Sequence, residues 1–269
     1  MTLPPAQLAE LGYQAELAGL NATSPPQQQR IHGWLLRLSP GQAKRARCVN
    51  ALEAGELPLD ELLKRCEHSF AMAGLPLVIR LTPYSKPVDL DAQLAARGWP
   101  AYDAADVMLR ERLDDLDESA LPGGQFLHEV RLNEFAAQSG TLKAASAEQI
   151  AAQAERLQQS AVPYRAFWLR RNTVRGWELL AAGLIAQEGP WVGLYDIYTV
   201  PEFRRQGHAH QLCRALLLQA RGAGAERAYL QVGRDNQSAI ALYQRLGFIK
   251  AYGYHYRSPP GINAEACAG

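Results

Sequence analysis

Val200-Pro201-Glu202-Phe203-Arg204-Arg205-Gln206-Gly207-His208-Ala209 runs straight into a segment where Ala209, Leu212, Cys213, Leu216, Leu217 and Ala220 recur at helical spacing. Ahead of it, Trp191 to Val200 is rich in β-branched and aromatic residues and reads as a strand. A strand that ends in a turn at a helix start gathers main-chain N–H groups without helical acceptors. The positive end of the helix dipole faces the same point, so the turn is an anion site. Gly207 lets the backbone approach a phosphate with no side chain in the way, and Ala209 keeps the first helical turn close to it. The reading is of a phosphorylated ligand.

Downstream, Gly222 and Gly224 end the helix and Arg227 to Val232 reads as a short strand. Asp235 or Asn236 then caps a second helix that ends at Leu246-Gly247-Phe248. A dinucleotide-binding unit does not fit this order. Its acidic ribose ligand belongs on a strand end about 20 residues past the glycines. Here Glu226 precedes a strand, and Arg205-Gln206 occupy positions which that pattern reserves for glycine.

Two segments carry a resemblance. Arg204-Arg205-Gln206-Gly207-His208-Ala209 is similar to the cofactor signature of the GNAT superfamily of acyl-CoA-dependent N-acyltransferases. Asn236, Tyr243 and Leu246-Gly247-Phe248 stand at the spacing of that superfamily's second signature, and Tyr254-His255-Tyr256-Arg257 also looks like its members. The resemblance covers roughly Phe126 to Arg257. It implies an α/β fold, a mixed and mostly antiparallel sheet flanked by helices. It implies transfer of an acetyl or other short acyl group from acyl-CoA, the co-substrate, directly to a primary amine on a small molecule or peptide. The alternative is a non-catalytic acyl-CoA-binding regulatory or interaction module.

The resemblance also suggests roles. Tyr243 lies seven residues, about two helical turns, after Asn236 and on the same face. It is either the acid that protonates the leaving thiolate or a packed aromatic. Asn236 is an N-cap that the resemblance also places against the cofactor. Asp196 is the candidate base, with a structural carboxylate or a water-mediated route as alternatives. Its presence beside Leu194, Tyr195 and Ile197 departs from strand composition, and period-two alternation puts Tyr198 on its face. Val200 and Tyr198 are expected to offer main-chain groups to the pantetheine as to an added strand. The amides of Arg205, Gln206, Gly207, His208, Ala209 and His210 are expected to hold the diphosphate. Arg204 pairs either with protein or with phosphate, and His255 either lines the cleft or is structural. No His or Cys stands at metal-ligand spacing to another, so no metal is expected.

The 269 residues suffice for two domains. Apolar residues make up 48%, charged residues 20%, and the net charge is +1, which gives no pull toward nucleic acid. No apolar run approaches the roughly 18 residues of a membrane span. Met1-Thr-Leu-Pro-Pro-Ala has no signal-peptide pattern, and the four scattered cysteines read as reduced thiols, so a cytoplasmic setting is expected. The acidic stretch that breaks on Pro122-Gly-Gly124 divides the chain into a domain over 1–113, a linker over 114–125, a domain over 126–258 and a loose tail over 259–269. In the first domain a helix is expected over Pro5 to Leu20, and strands over Trp34 to Leu38 and Arg45 to Leu52 about a Ser39-Pro40-Gly41 turn. Helix, strand, helix and a strand over Asp106 to Arg112 follow. This repeats the later element order, so the N-terminal half reads as a degenerate copy of the same module, or else as an unrelated α/β cap. In it Glu53-Ala-Gly-Glu-Leu-Pro58 replaces the anion turn with two carboxylates that repel a diphosphate.

Overall fold

Apolar periods of two and of three to four residues alternate along the chain and set its elements. The computed structural model describes residues 3–39, 43–142 and 144–262. In chain order these are α1 (Pro5–Ala22), β1 (Gln28–Ile31), β2 (Trp34–Arg37), β3 (Val49–Ala51), α2 (Leu59–Met72), β4 (Ile79–Leu81) and α3 (Leu90–Ala96). Next come β5 (Ala101–Arg110), β6 (Gln125–Val130), α4 (Leu132–Leu142), α5 (Ala147–Gln158), β7 (Tyr164–Thr173) and β8 (Gly176–Glu188). The chain continues through β9 (Trp191–Thr199), α6 (His208–Gly222), β10 (Arg227–Gly233), α7 (Gln237–Arg245) and β11 (Ile249–Arg257). The expected strand over Arg45 to Leu52 is shorter, because Lys44–Ala46 form a 3₁₀ turn before β3. The Pro40-Gly41 part of the expected turn lies outside the described residues.

Two compact units form, and they are not sequential halves. One holds residues 1–22, 107–232 and 236–251; the other holds 23–106, 233–235 and 252–269. Residues 1–22 join the first unit because α1 buries Leu11, Ala15, Ala18 and Ala22 with Tyr164, Leu184, Trp191, Tyr195 and Tyr229. The Tyr164 hydroxyl also donates to the Ala22 carbonyl at the end of α1, at 2.9 Å. The stretch 114–125 is strapped down instead of linking. Leu113 and Leu116 are buried beside α6 residues, and Arg214 donates to the carbonyls of Asp117 at 2.8 Å and Ser119 at 2.5 Å. Just past β11, Ser258 is buried and bonds the Tyr102 hydroxyl at 2.7 Å.

In the first unit the strand order is β5-β10-β9-β8-β7-β6, a mixed sheet that is antiparallel from β6 to β9 and parallel between β9 and β10. One face packs on α6 and α7 through Leu212, Cys213, Leu216, Leu242, Tyr243 and Phe248. The other packs on α1, on Phe135 of α4 and on Leu157 of α5. The second unit has the order β1-β2-β3-β4-β11, with β3 and β4 parallel and β1–β2, β2–β3 and β4–β11 antiparallel. Its core gathers Trp34, Leu36, Leu62, Phe70, Ile79, Leu90, Leu94 and Trp99. In both units an antiparallel pair leads through a helix to a parallel strand.

Two features of β9 prepare the site. Its ladder to β10 ends at Leu194 and Leu230, so the strands diverge beyond that pair while β9 runs on to Thr199. At the same place β9 carries a bulge opposite β8: Leu184 faces Tyr195 and Ala182 faces Tyr198, leaving Asp196 and Ile197 against Gly183. Asp196 takes a left-handed φ of 48°, a conformation that Asp tolerates better than most residues. The bulge depends on Gly183, because a Cβ there would stand 2.6 Å from Ile197 Cδ1 and 3.2 Å from Leu216 Cδ1. Gly183→Ala is therefore expected to lower stability by about 1–3 kcal/mol through overpacking, read as a lower urea midpoint at unchanged m-value.

Candidate functional site

Three helices of the first unit start in different ways. Ser146 caps α5 with a full capping box, and Asn236 caps α7 by accepting from the Ala239 N–H at 3.1 Å. The N-cap of α6 is Gly207, with φ 85° and no side chain to bond the first-turn amides. Arg205 is also left-handed, with φ 61°, so left-handed residues alternate with others through the turn. Such alternation folds successive N–H groups into a concavity. Among the described residues the main-chain N–H groups of Arg205, Gln206, Gly207, His208, Ala209 and His210 have no acceptor, and the first bonded amide is Gln211, on the Gly207 carbonyl at 3.1 Å. A Cβ on Gly207 would meet nothing within 4 Å, so the concavity is open there. A diphosphate fits this geometry: donors converge, the helix dipole favours negative charge, and the side chain of Arg205 has no protein partner among the described residues.

The side chains of the turn divide their work. Arg204 donates to the Thr199 carbonyl at 3.4 Å and stands over the Tyr198 ring at 5.9 Å, so it pairs with protein. Gln206 donates to the Glu202 carbonyl at 3.3 Å. His208 is buried, with Nδ1 3.2 Å from Gln211 Oε1, and its Nε2 has no hydrogen-bond partner among the described residues. Burial, then the charges of Arg245 and Arg214, lower the His210 pKa against the pull of Asp117, which keeps the ring neutral at pH 7.

The strand edge corrects one expectation. Val200 donates its N–H to Leu180 of β8 at 3.0 Å, and its carbonyl accepts from Phe203 at 2.9 Å. Main-chain groups alternate sides along a strand, so Val200 and Tyr198 point theirs toward β8. By the same alternation Thr199 turns its N–H away from β8, while its carbonyl accepts from Arg204. Composition carried no sign of this, because it depends on which neighbour lies on which side of β9.

Asp196 and Tyr198 both face away from α6, though not by simple alternation. A regular strand would set Asp196 beside Leu194, beneath α6; the bulge gives that place to Ile197. Asp196 instead stands exposed and accepts from Gln153 Nε2 of α5 at 3.0 Å. The sequence reading missed Gln153, which lies 43 residues away on a helix of no recognisable signature. Tyr243 packs on the core side of α7, edge-on to Phe248 with ring centroids 6.0 Å apart. Its hydroxyl has no hydrogen-bond partner among the described residues. Burial, helped by the neighbouring Cys213 thiol, raises its pKa, so the phenol stays protonated; burial alone pushes Cys213 up to about 12. His255 belongs to the second unit, where it pairs with Asp91 at 3.0 Å. No group of three or more potential metal ligands occurs among the described residues, and no described helix is long and apolar enough to cross a membrane.

Residues 141–248 match the sequence model of the Acetyltransferase (GNAT) family, a stretch that holds the α6 turn, Asp196 and Tyr243. The uncharacterized N-acetyltransferase YobR of Bacillus subtilis is 27% identical over 236 residues, spanning 86% of this chain and 91% of that protein. A GCN5-related N-acetyltransferase from Kribbella flavida shares the fold, with a TM-score of 0.67 at 21% identity over 94% of this chain and 96% of its own. A tandem GNAT protein from the clavulanic acid biosynthesis pathway also shares it, with a TM-score of 0.55 at 16% identity over 76% of this chain and 70% of its own.

The open space at Gly207 separates two substitutions. Gly207→Ala should cost about 1–2 kcal/mol for a left-handed alanine and leave a thermal shift with acetyl-CoA. Gly207→Glu should abolish that shift by placing a carboxylate among the donors, and an undiminished shift in this variant would refute the anion site.

Proposed function

We infer from the match to the GNAT family that this protein moves an acetyl or other short acyl group from acyl-CoA to the nitrogen of a primary amine, on a small molecule or peptide. The observation that carries the reading is the row of acceptor-less amides from Arg205 to His210, which suits the diphosphate of coenzyme A. Acyl-CoA, when bound, supplies the thioester. The amides and the Arg205 side chain hold the diphosphate, while Thr199 offers its N–H where β9 and β10 diverge. Asn236, whose Oδ1 is occupied by the cap, has its Nδ2 left for the cofactor. These contacts hold the thioester at the mouth of the opening.

Two protons must then move. An alkylammonium of pKa near 10.4 costs about 4.6 kcal/mol to deprotonate at pH 7. Asp196, exposed on its bulge, accepts that proton directly or through water. The leaving sulfur needs a donor, and the Tyr243 phenol is protonated and uncommitted. Because burial makes that phenol a weak acid, it serves best as a hydrogen-bond donor whose proton passes as the amine proton is released, so that no buried phenolate persists. No covalent acyl-enzyme is required. The second unit reads as a degenerate copy of the module. Its loop after β3 holds Glu53 and Glu56, which pair with Arg30 at 3.4 Å and His32 at 3.1 Å where the first unit presents bare amides.

Tyr243→Phe should bind acetyl-CoA with nearly the wild-type dissociation constant and release free thiol about 10²-fold more slowly with an amine acceptor. Parallel calorimetry and thiol-release assays read the two effects. Equal loss of both would count against the phenol as donor.

A further inference from the structure

Asp196 does not hold its position alone. Its carboxylate sits on a left-handed bulge where β9 has parted from β10, so the strand ladder does little to fix the direction of the side chain. Gln153 of α5 reaches it, its Nε2 donating to Asp196 Oδ2 at 3.0 Å. Gln153 is itself well placed. The capping box of Ser146 and Gln149 sets the start of α5. One helical turn before Gln153, Ile150 presses into α4 at Gly140, where a Cβ would lie 2.2 Å from Ile150 Cγ1. Leu157, one turn after it, is the buried anchor of α5. A short rigid path thus runs from the α4–α5 packing to one oxygen of the carboxylate.

We propose that Gln153 is a positioning residue of the transfer reaction, holding the Asp196 carboxylate toward the incoming amine. A carboxamide suits this task because it donates to the carboxylate at every pH and cannot take the amine's proton itself. A lysine or arginine in its place would form an ion pair and repel an ammonium, whereas Gln153 orients without adding charge. This inference rests on the amine-transfer reading above and adds to it the element, α5, that governs alignment of the acceptor. A group that acts only through its partner should show no effect once the partner is gone, and a double-mutant cycle tests this.

The experiment measures kcat/KM for thiol release from acetyl-CoA in wild type, Gln153→Met, Asp196→Ala and the double variant, with spermidine, tyramine and Nα-acetyl-lysine as probe amines. Gln153→Met keeps the length and helix propensity of the side chain while removing the donor, and Gln153→Ala serves as a second variant. The expected result is a loss of about tenfold in Gln153→Met from misalignment of Asp196, in kcat more than in the KM for amine, with the acetyl-CoA dissociation constant unchanged. Asp196→Ala should lose about 10²-fold, and adding the Gln153 substitution to it should change little further. Wild-type rates in both Gln153 variants, multiplicative losses in the double variant, or an Asp196→Ala protein as active as wild type would each overturn the proposal and leave amine transfer standing. A wild-type protein that binds acetyl-CoA yet releases no thiol with any of the three amines would overturn this proposal together with the transfer reading.

Discussion

Six consecutive main-chain N–H groups without acceptors among the described residues, at the start of a fifteen-residue helix, are the constraint around which the first unit is arranged. The cheap ways to satisfy such a helix start are visible nearby, in the serine cap of α5 and the asparagine cap of α7. At α6 the capping position is a glycine in a left-handed conformation, and no side chain fills the role. The amides are left to water or to an anion, and only an anion answers both their direction and the helix dipole. The core then serves this end: Leu212, Cys213, Leu216 and Leu217 bury α6 against the sheet, so the donors stand on a rigid element.

The bulge on β9 does a second job with one extra residue. Inserting Asp196 turns the strand so that Ile197, and not the carboxylate, fills the space over Gly183 beneath α6. The acid is thereby presented at the end of the β9–β10 ladder, where the sheet opens. A carboxylate buried under α6 without a partner would cost several kcal/mol, so a regular strand would exclude Asp at this position. The same residue that breaks the strand pattern is the one the bulge can carry.

The second unit repeats the connectivity of the first without its chemistry. Its parallel pair, β3 and β4, is joined through α2 as β9 and β10 are joined through α6. At α2 the start is Pro58, whose carbonyl accepts from Glu61 and Leu62, and the preceding glutamates take up Arg30 and His32. Its first two strands meet in a two-residue turn, whereas β6 and β7 are separated by α4 and α5. Among the described residues the unit thus has neither the bare amides of the α6 start nor helices between its first two strands.

The sequence by itself determined what depends on neighbours in the chain. The strand, turn and helix around Gly207, the asparagine cap of α7 and the seven-residue step from Asn236 to Tyr243 follow from local conformational preference and helical period. Tertiary structure decided whatever depends on which strand lies beside which. Val200 turns its N–H away from the opening because it is bonded to Leu180, twenty residues earlier in the chain. The first helix joins the later residues because its apolar face matches Tyr164, Trp191 and Tyr229. Gln153 meets Asp196 only after α5 has packed on α4. Periodicity records which face of an element is apolar, but it holds no address for the partner that covers it.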